Sequence, residues 1–272
     1  MLNWGDRVEF SFWEAGCLIW VCSQDIHPAF CAAWNLVDAE GRIIGTDRET
    51  LGHLIDDRRG AIALPLYQDD GYLTRVVLGE LNQREAEDWT ARCQGYLHLP
   101  TGELVVSGII DGDEPLALLN PDRPPPEDLL QGVITVAPGL YEVTLYAYPP
   151  GDLSTGWGQI ENFNGSGIFP PTPGISPENP WDYFHRTRPG ETVPSWLALE
   201  YAPTEADRQA HSAAFYQEMD QGVRYGDFVV QLRPVPADTP LPPVPPLDGD
   251  LCFPWEFRKP DRCPLGLRIP PA

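Results

Sequence analysis

The sequence predicts a mainly β protein: a β-dominated α+β fold with an antiparallel, sandwich-like body, two helices and a long loop rich in aromatic residues, proline and glycine. Three observations lead to this fold class. Short segments alternate apolar and polar residues, which is the period of a half-buried strand. Turn strings that contain proline and glycine separate these segments. Nine Trp, ten Tyr and ten Phe supply apolar surface that offsets the entropy lost on ordering.

Two β-hairpins are predicted at the centre of the chain, over residues 96–110 and 133–148. Apolar residues recur at alternate positions along their arms, so that one face of each arm can be buried. The connections contain Gly102 and Gly139, each with a proline one or two residues before it. Because proline presets its own φ and glycine tolerates a positive φ, both glycines are expected in turns between paired strands.

The first eighty residues show a similar pattern. Residues 46–59 are polar with scattered apolar positions and are expected to hold a short helix. The repeated order of hairpin, link and hairpin in residues 1–80 and 93–150 predicts an internal duplication, within a β-rich body that covers residues 1–234. Strand pairs are expected over residues 6–23, 30–46 and 60–78.

Two helices are predicted from their capping residues. Asn82 can cap the first helix, with Glu85 three residues later as in a capping box, and this helix is expected to reach about Arg92. Thr204 caps the second helix, which is expected to run to about Asp220, with a glycine shortly after it as its stop. Further strands are expected over residues 196–201 and 228–232.

The last part of the chain, residues 235–272, is predicted to be a proline-rich segment followed by a C-terminal tail. The dense prolines favour extended, polyproline-like backbone. The tail carries Phe253, Trp255 and Phe257, which would be costly to leave exposed together. We therefore expect the tail to dock on the body.

Residues 152–191 are predicted to form a long ordered loop. Proline and glycine are dense there, yet six large aromatic side chains argue against a mobile linker. The cationic residues of this loop stand in an acidic protein, so they either tie the loop to neighbouring carboxylates or belong to a site, with His185 as the candidate catalytic histidine. The candidate binding residues are Trp157, Trp181, Tyr183, His185, Arg186 and Arg188.

The charge of the chain limits its partners. Lys and Arg number 18 against 40 Asp and Glu, a net charge of −22. Such a surface repels nucleic-acid phosphates and anionic membranes and attracts a basic protein, although acidity by itself also keeps a protein in solution. Residues 1–10 lack the cationic and apolar regions of a secretory signal, and no apolar run is long enough to span a bilayer. A cytoplasmic location is expected, with a possible basic protein partner and no nucleic acid or membrane.

The six cysteines are expected to be reduced thiols, since that compartment keeps thiols reduced. Cys22, His27 and Cys31 are close enough in sequence to bind zinc, but their spacing matches no CxxC motif, which favours small buried thiols. Acidic turns at residues 69–70 and 111–114 could bind calcium, but they lack its full spaced ligand set. No metal and no cofactor is expected.

The motifs favour no particular reaction. The sequence contains no Walker loop, dinucleotide-binding loop, zinc-protease motif, serine-hydrolase motif or kinase signature. The turn strings LPTGELVVSG and APGLYEVTLYAYPPGD resemble those of a β-rich family of acidic bacterial proteins. The overall character of the sequence is similar to that of small acidic bacterial proteins that neutralise toxins or bind other proteins. This resemblance implies a binding role and supplies no activity.

Two functions are consistent with these observations. The first is an acidic protein-binding module, of the kind represented by immunity-type inhibitors of a basic partner. The second is a hydrolase-like enzyme whose site lies in the 152–191 loop around His185. The absence of catalytic signatures favours the first. A concave pocket that held His185 beside a carboxylate would favour the second.

Overall fold

The structure, a computed structural model, is built from strands and short helices. The described residues are 1–14, 18–34, 36–37, 43–57, 59–66, 70–108, 132–151, 156–161, 172–247 and 251–270. The strands are β1 (Arg7–Glu14), β2 (Leu18–Ser23), β3 (Leu36–Val37), β4 (Ile43–Gly45), β5 (Ala61–Pro65), β6 (Asp70–Leu78), β7 (Ala91–Leu99), β8 (Glu103–Gly108), β9 (Gly132–Thr135), β10 (Gly139–Ala147), β11 (Arg224–Gly226), β12 (Phe228–Val235), β13 (Glu256–Phe257) and β14 (Leu267–Ile269). The α-helices are α1 (His27–Trp34), α2 (Arg48–Gly52), α3 (Gln83–Glu87), α4 (Gly156–Glu161), α5 (Pro180–Thr187), α6 (Ser195–Tyr201) and α7 (Glu205–Asp220), and a π-helix (His53–Asp57) follows α2.

The fold is β-dominated α+β, which confirms the predicted class. The larger sheet has six strands in the order β1-β6-β12-β10-β7-β13, and the smaller has four in the order β5-β2-β8-β9. Two small sheets pair β3 with β4 and β11 with β14. In the four-stranded sheet every neighbouring pair is antiparallel. The described residues form seven α-helices, where the sequence predicted two capped helices and a short one within residues 46–59, which is the position of α2.

Most of the predicted strands lie where the sequence placed them, but the predicted hairpin pairing is wrong. β7 and β8 flank Gly102 and belong to different sheets, and β10 begins at Gly139 in a different sheet from β9. The pairs β1–β2 and β5–β6 divide in the same way. Alternation and turn residues show where a chain reverses. They do not show whether the returning strand pairs with its predecessor or joins the facing sheet of a sandwich.

The chain divides into two compact units. Unit 1 contains Met1–Glu80, Cys93–Thr144 and Val230–Trp255, and unit 2 contains Leu81–Arg92, Leu145–Val229 and Glu256–Ala272. In unit 1, β1 packs against β8 and β9, and a Cβ on Gly132 would lie 2.4 Å from the ring of Phe10. Every residue of β2 is buried there. The sequence-based division into residues 1–234 and 235–272, like the internal duplication, stays a prediction.

Unit 2 has a core of its own, in which short helices bring large aromatic side chains together. The sequence placed the aromatic residues of the 152–191 loop on the β body, but the four in the described ranges, Trp157, Trp181, Tyr183 and Phe184, belong to this core instead. Each fully buried aromatic side chain of this size contributes about 1.5–3 kcal/mol. The buried residues of this core are Trp157, Ile160, Tyr183, Phe184, Trp196, Leu197 and Cys263.

Three segments predicted as strand or loop are helical. α1 with the short β3 and β4 replaces the expected hairpin over residues 30–46, and α4 and α5 lie inside the expected 152–191 loop. α6 replaces the expected strand over residues 196–201. In α6, Leu197 and Tyr201 are four residues apart and both pack on the aromatic core, which is the spacing of a helix face.

Both predicted helix starts are confirmed. The side chain of Asn82 accepts a hydrogen bond from the Glu85 amide at 2.9 Å, and the Glu85 carboxylate accepts one from the Asn82 amide at 2.8 Å. Thr204 Oγ1 accepts one from the Asp207 amide at 3.1 Å. α3 ends at Glu87, earlier than expected, because the chain then turns into β7.

Some predictions fall outside the described residues. These are the acidic turn at residues 111–114, Asp69 of the other acidic turn, the thiol of Cys17, and the loop residues Phe163 and Phe169.

Candidate functional site

The segment around α5 contains most of the residues proposed from the sequence as a site. Asn179 caps this helix, accepting hydrogen bonds from the amides of Trp181 at 3.0 Å and Asp182 at 3.4 Å, and Pro180 occupies the first turn. Proline lacks the amide hydrogen that a first turn leaves unbonded, so Asn-Pro here begins a helix. The dense prolines of this region predicted a loop, and this interpretation missed α5, whose first turn holds Pro180.

The six candidate binding residues divide into an interior and a surface group. Trp157, Tyr183 and Arg188 are buried in unit 2. Their side chains bond inside the unit: for example, Trp157 Nε1 donates to the Tyr201 hydroxyl at 3.1 Å, and Tyr183 OH donates to the Pro260 carbonyl. The other three have surface to offer a partner. Trp181 is half-buried, and His185 and Arg186 are exposed.

Arg188 connects three parts of unit 2. Its Nε donates to the Cys263 carbonyl at 2.5 Å, its Nη1 lies 3.1 Å from Glu191, and its Nη2 lies 3.6 Å from Asp88. Burial raises the pKa of Asp88, an effect opposed by the Leu265 amide and by neighbouring guanidinium groups. This arrangement matches the sequence-based option in which the loop arginines tie the segment down.

Glu178 is a second ionic junction in the same region. It accepts hydrogen bonds from Arg186, at 2.9 Å and 2.6 Å, and from Lys259 at 2.8 Å. These contacts, led by the hydrogen bond from Arg186, lower the pKa of Glu178 to about 2. The Lys259 ammonium also donates to the Ser176 carbonyl at 2.8 Å. Glu178 therefore joins α5 to the segment that follows β13.

His185 has aromatic neighbours. Its ring centre lies 4.8 Å from that of Trp181 and 5.5 Å from that of Phe184, both edge-to-face. Among the described residues, no carboxylate bonds to this imidazole. The geometry expected of the hydrolase-like alternative, a histidine beside a carboxylate in a pocket, is therefore not met in the described part of the chain.

The exposed face of α7 is a surface that the sequence analysis did not single out. This sixteen-residue helix has no fully buried residue. One face carries carboxylates at both ends and Tyr216 between them, and that tyrosine is 60% exposed. Among the described residues of unit 2, Tyr216 is the only exposed large hydrophobic side chain, and such side chains are typical anchors of protein interfaces. We call this the α7 face, and its exposed residues are Glu205, Gln209, Ala213, Tyr216 and Asp220.

The cations of the described chain are engaged in internal contacts. Arg92 pairs with Glu256, Arg208 with Glu205, and Arg262 with Glu191. Other arginines donate to backbone carbonyls; Arg258 Nε, for example, donates to the Trp89 carbonyl at 2.9 Å. Every lysine and arginine in the described ranges has such a contact. The excess of carboxylates therefore sets the electrostatic potential that a partner meets.

Cys31 and His27, two of the residues for which zinc binding was considered and disfavoured, lie together as neutral groups. Cys31 Sγ lies 3.3 Å from His27 Nε2, one helical turn away. Burial raises the pKa of Cys31 to about 12 and lowers that of His27, so at neutral pH both are uncharged. In the described ranges no three His, Cys, Asp or Glu side chains are arranged to hold a metal ion.

No family model and no curated protein matches this chain. Two solved structures are similar to it. One is Crocagin biosynthetic gene J, with 14% identity, 84% of this chain and 97% of that chain covered, and a TM-score of 0.37. The other is ComJ from Bacillus subtilis, an inhibitor of the DNA degrading activity of NucA, with 8% identity, 86% and 100% covered, and a TM-score of 0.36. None of the helices in the described ranges has the length and hydropathy of a membrane span.

Proposed function

We propose that this chain is an acidic protein-binding module, an immunity-type inhibitor that neutralises a basic partner protein in the cytoplasm. The observation that carries the proposal is the net charge of −22, together with the internal contacts of the lysine and arginines in the described ranges, which leave the excess carboxylates to act on a partner. The cysteines support the compartment, because the five in the described ranges are free thiols.

The α7 face is the docking surface that we propose. Asp220 carries the negative charge that complements a basic partner, since Glu205 is already paired with Arg208, and Tyr216 can supply an apolar anchor with a polar tip. The helix needs little of this face for its own packing, since none of its residues is fully buried. Binding would therefore cover Tyr216 without disturbing the core of unit 2.

Association with a purified partner tests the proposal. The immobilised chain is used to retrieve a partner from the native host at low salt, and the association rate is then measured as salt is raised. The rate should fall steeply, because the screening length shrinks to about 8 Å near physiological ionic strength. A partner whose association rate ignores salt would contradict the electrostatic part of the proposal.

Two substitutions locate the surface. Asp220→Lys should slow association, and Tyr216→Ala should speed dissociation. Asp220 lies at the C-terminal end of α7, where a positive charge suits the helix dipole, so its replacement should not destabilise the fold. Asp56→Lys, which changes an exposed carboxylate of unit 1 by the same charge, is the control and should have a smaller effect. Equal effects of Asp56→Lys and Asp220→Lys would place the interface elsewhere.

The inhibitory role needs its own assay. The activity of the retrieved partner is titrated with the chain, and the proposal expects inhibition that is complete near one equivalent. If the partner keeps its full activity in the saturated complex, the chain binds the partner without inhibiting it, and the inhibitory role is wrong.

A further inference from the structure

A pocket of about 820 Å³ lies in unit 2, between α7, the residues that lead into α6 and the segment around β14. This volume falls within the range of roughly 300–1,000 Å³ that is typical of small-molecule sites. The pocket uses the side of α7 that carries His211, Ala214 and Glu218, which is not the α7 face. None of the six binding residues proposed from the sequence lines it.

The lining has an apolar part and an ordered polar part. Val193, Pro194 and Leu265 supply the apolar surface. Ser195 Oγ donates a hydrogen bond to Glu218, and the Tyr225 hydroxyl donates to the same carboxylate at 3.3 Å. These contacts fix the polar side chains before any ligand arrives, which lowers the ordering cost of binding.

Two arginines of the pocket are loosely paired. The guanidinium of Arg84 lies 3.4 Å from Asp88, and that of Arg268 lies 3.6 Å from Glu218. Arg92, also in unit 2 but outside the pocket, lies only 2.7 Å from Glu256. The side chains of Arg84 and Arg268 are 46% and 53% exposed. Each guanidinium has five N–H donors, so both retain donors for a further acceptor.

The balance of charge in the lining is opposite to that of the chain. Two arginines face a single carboxylate there, in a protein with a net charge of −22. Guanidinium groups bind carboxylate, sulfonate and phosphate groups in a planar, two-point geometry. The neighbouring apolar surface of Val193 and Leu265 suits a hydrocarbon or aromatic body.

We infer that this pocket binds a small amphipathic organic anion, with its acidic group at Arg268 and Arg84 and its apolar body against Val193 and Leu265. The site is separate from the proposed protein-binding face, so either can fail without the other.

Fluorescence titration with a matched pair of probes tests the inference. The probes are 8-anilinonaphthalene-1-sulfonate and N-phenyl-1-naphthylamine, which has the same aromatic system and no acidic group. The sulfonate should bind the folded protein saturably at one site, with an affinity at least about tenfold higher than that of the neutral probe. The reason is that hydrogen bonds to charged groups contribute more free energy than hydrogen bonds between neutral groups. Equal affinities, or binding without saturation, would overturn the inference.

Two variants that should change the affinity for the sulfonate in opposite directions test whether it binds in this pocket. Arg268→Gln should weaken sulfonate binding about tenfold, and Glu218→Gln should strengthen it, because it removes the competing carboxylate while keeping an acceptor for Ser195 and Tyr225. Arg92→Gln, an exposed arginine outside the pocket, is the control and should leave the affinity unchanged. Unchanged binding in Arg268→Gln, or weaker binding in Glu218→Gln, would overturn the inference. Urea unfolding confirms that each variant is folded before it is titrated.

Discussion

The buried guanidinium of Arg188 lies 3.6 Å from the buried carboxylate of Asp88, with only 7% and 4% of the two side chains exposed. One partner follows α3 and the other follows α5. The same arginine donates to the carbonyl of Cys263, so one side chain holds three distant segments of unit 2 together. Its burial indicates a structural role, which is the role that the sequence favoured for a residue also named as a candidate binding residue.

Removal of this guanidinium should destabilise the protein. Arg188→Ala is expected to lower the free energy of unfolding by about 3–5 kcal/mol, because Asp88 is then left buried without its partner. Urea unfolding followed by tryptophan fluorescence measures the change. Arg186→Ala removes an exposed arginine from α5, the helix that Arg188 follows, and is expected to have a much smaller effect. Equal losses in the two variants would show that the burial of Arg188 is not what matters.

Acid should weaken the junction at Glu178. Its pKa is about 2 in the folded protein, below its ordinary value of 4.5. Its contribution to stability is therefore complete above about pH 4.5 and is lost as the pH falls towards 2. Glu178→Gln should be less stable than the wild type at pH 7, and the difference should shrink below about pH 4.5. Urea unfolding at a series of pH values measures this difference, and a gap that stays constant down to pH 2.5 would contradict it.

The thiols should be protected in the folded protein. Burial raises the pKa values of Cys31, Cys93 and Cys263 to about 12, so each is protonated at pH 8 and reacts slowly. A disulfide reagent should therefore modify the native protein slowly and the denatured protein fast. The sequence predicts six reactive groups in denaturant without reductant. Rapid modification of several thiols in the native protein would contradict this prediction.

Two glycines that look alike in the sequence should respond differently to substitution. Gly102 has φ +75°, and a Cβ there would lie 2.3 Å from the Val136 carbonyl oxygen, whereas at Gly139 the nearest atom would be 3.9 Å away. Gly102→Ala should cost at least about 1–2 kcal/mol from the left-handed backbone alone. Gly139→Ala should change stability by less than about 0.5 kcal/mol. Chemical denaturation of both variants checks this, and similar losses would contradict it.

The candidate site was only partly predictable from the sequence. Composition singled out the segment that contains Trp181 and Arg188, because aromatic and cationic residues stand out there in an acidic protein. The sequence could not separate the buried Arg188 from the exposed Arg186, which lies two residues away. The pocket around Glu218 was not predicted, because its lining comes from four separate parts of the chain and no short motif joins them.

The sequence by itself determined the net charge, the β-dominated class, the starts of α3 and α7, and most positions where a strand begins or ends. These features depend on composition or on residues within a few positions of one another, such as Asn82 with Glu85. Only the tertiary structure decided that β7 and β8 belong to different sheets and that the aromatic residues around Tyr183 form a core of their own. Strand pairing and helix packing depend on partners far along the chain, and the local pattern of apolar residues is the same whichever partner is chosen.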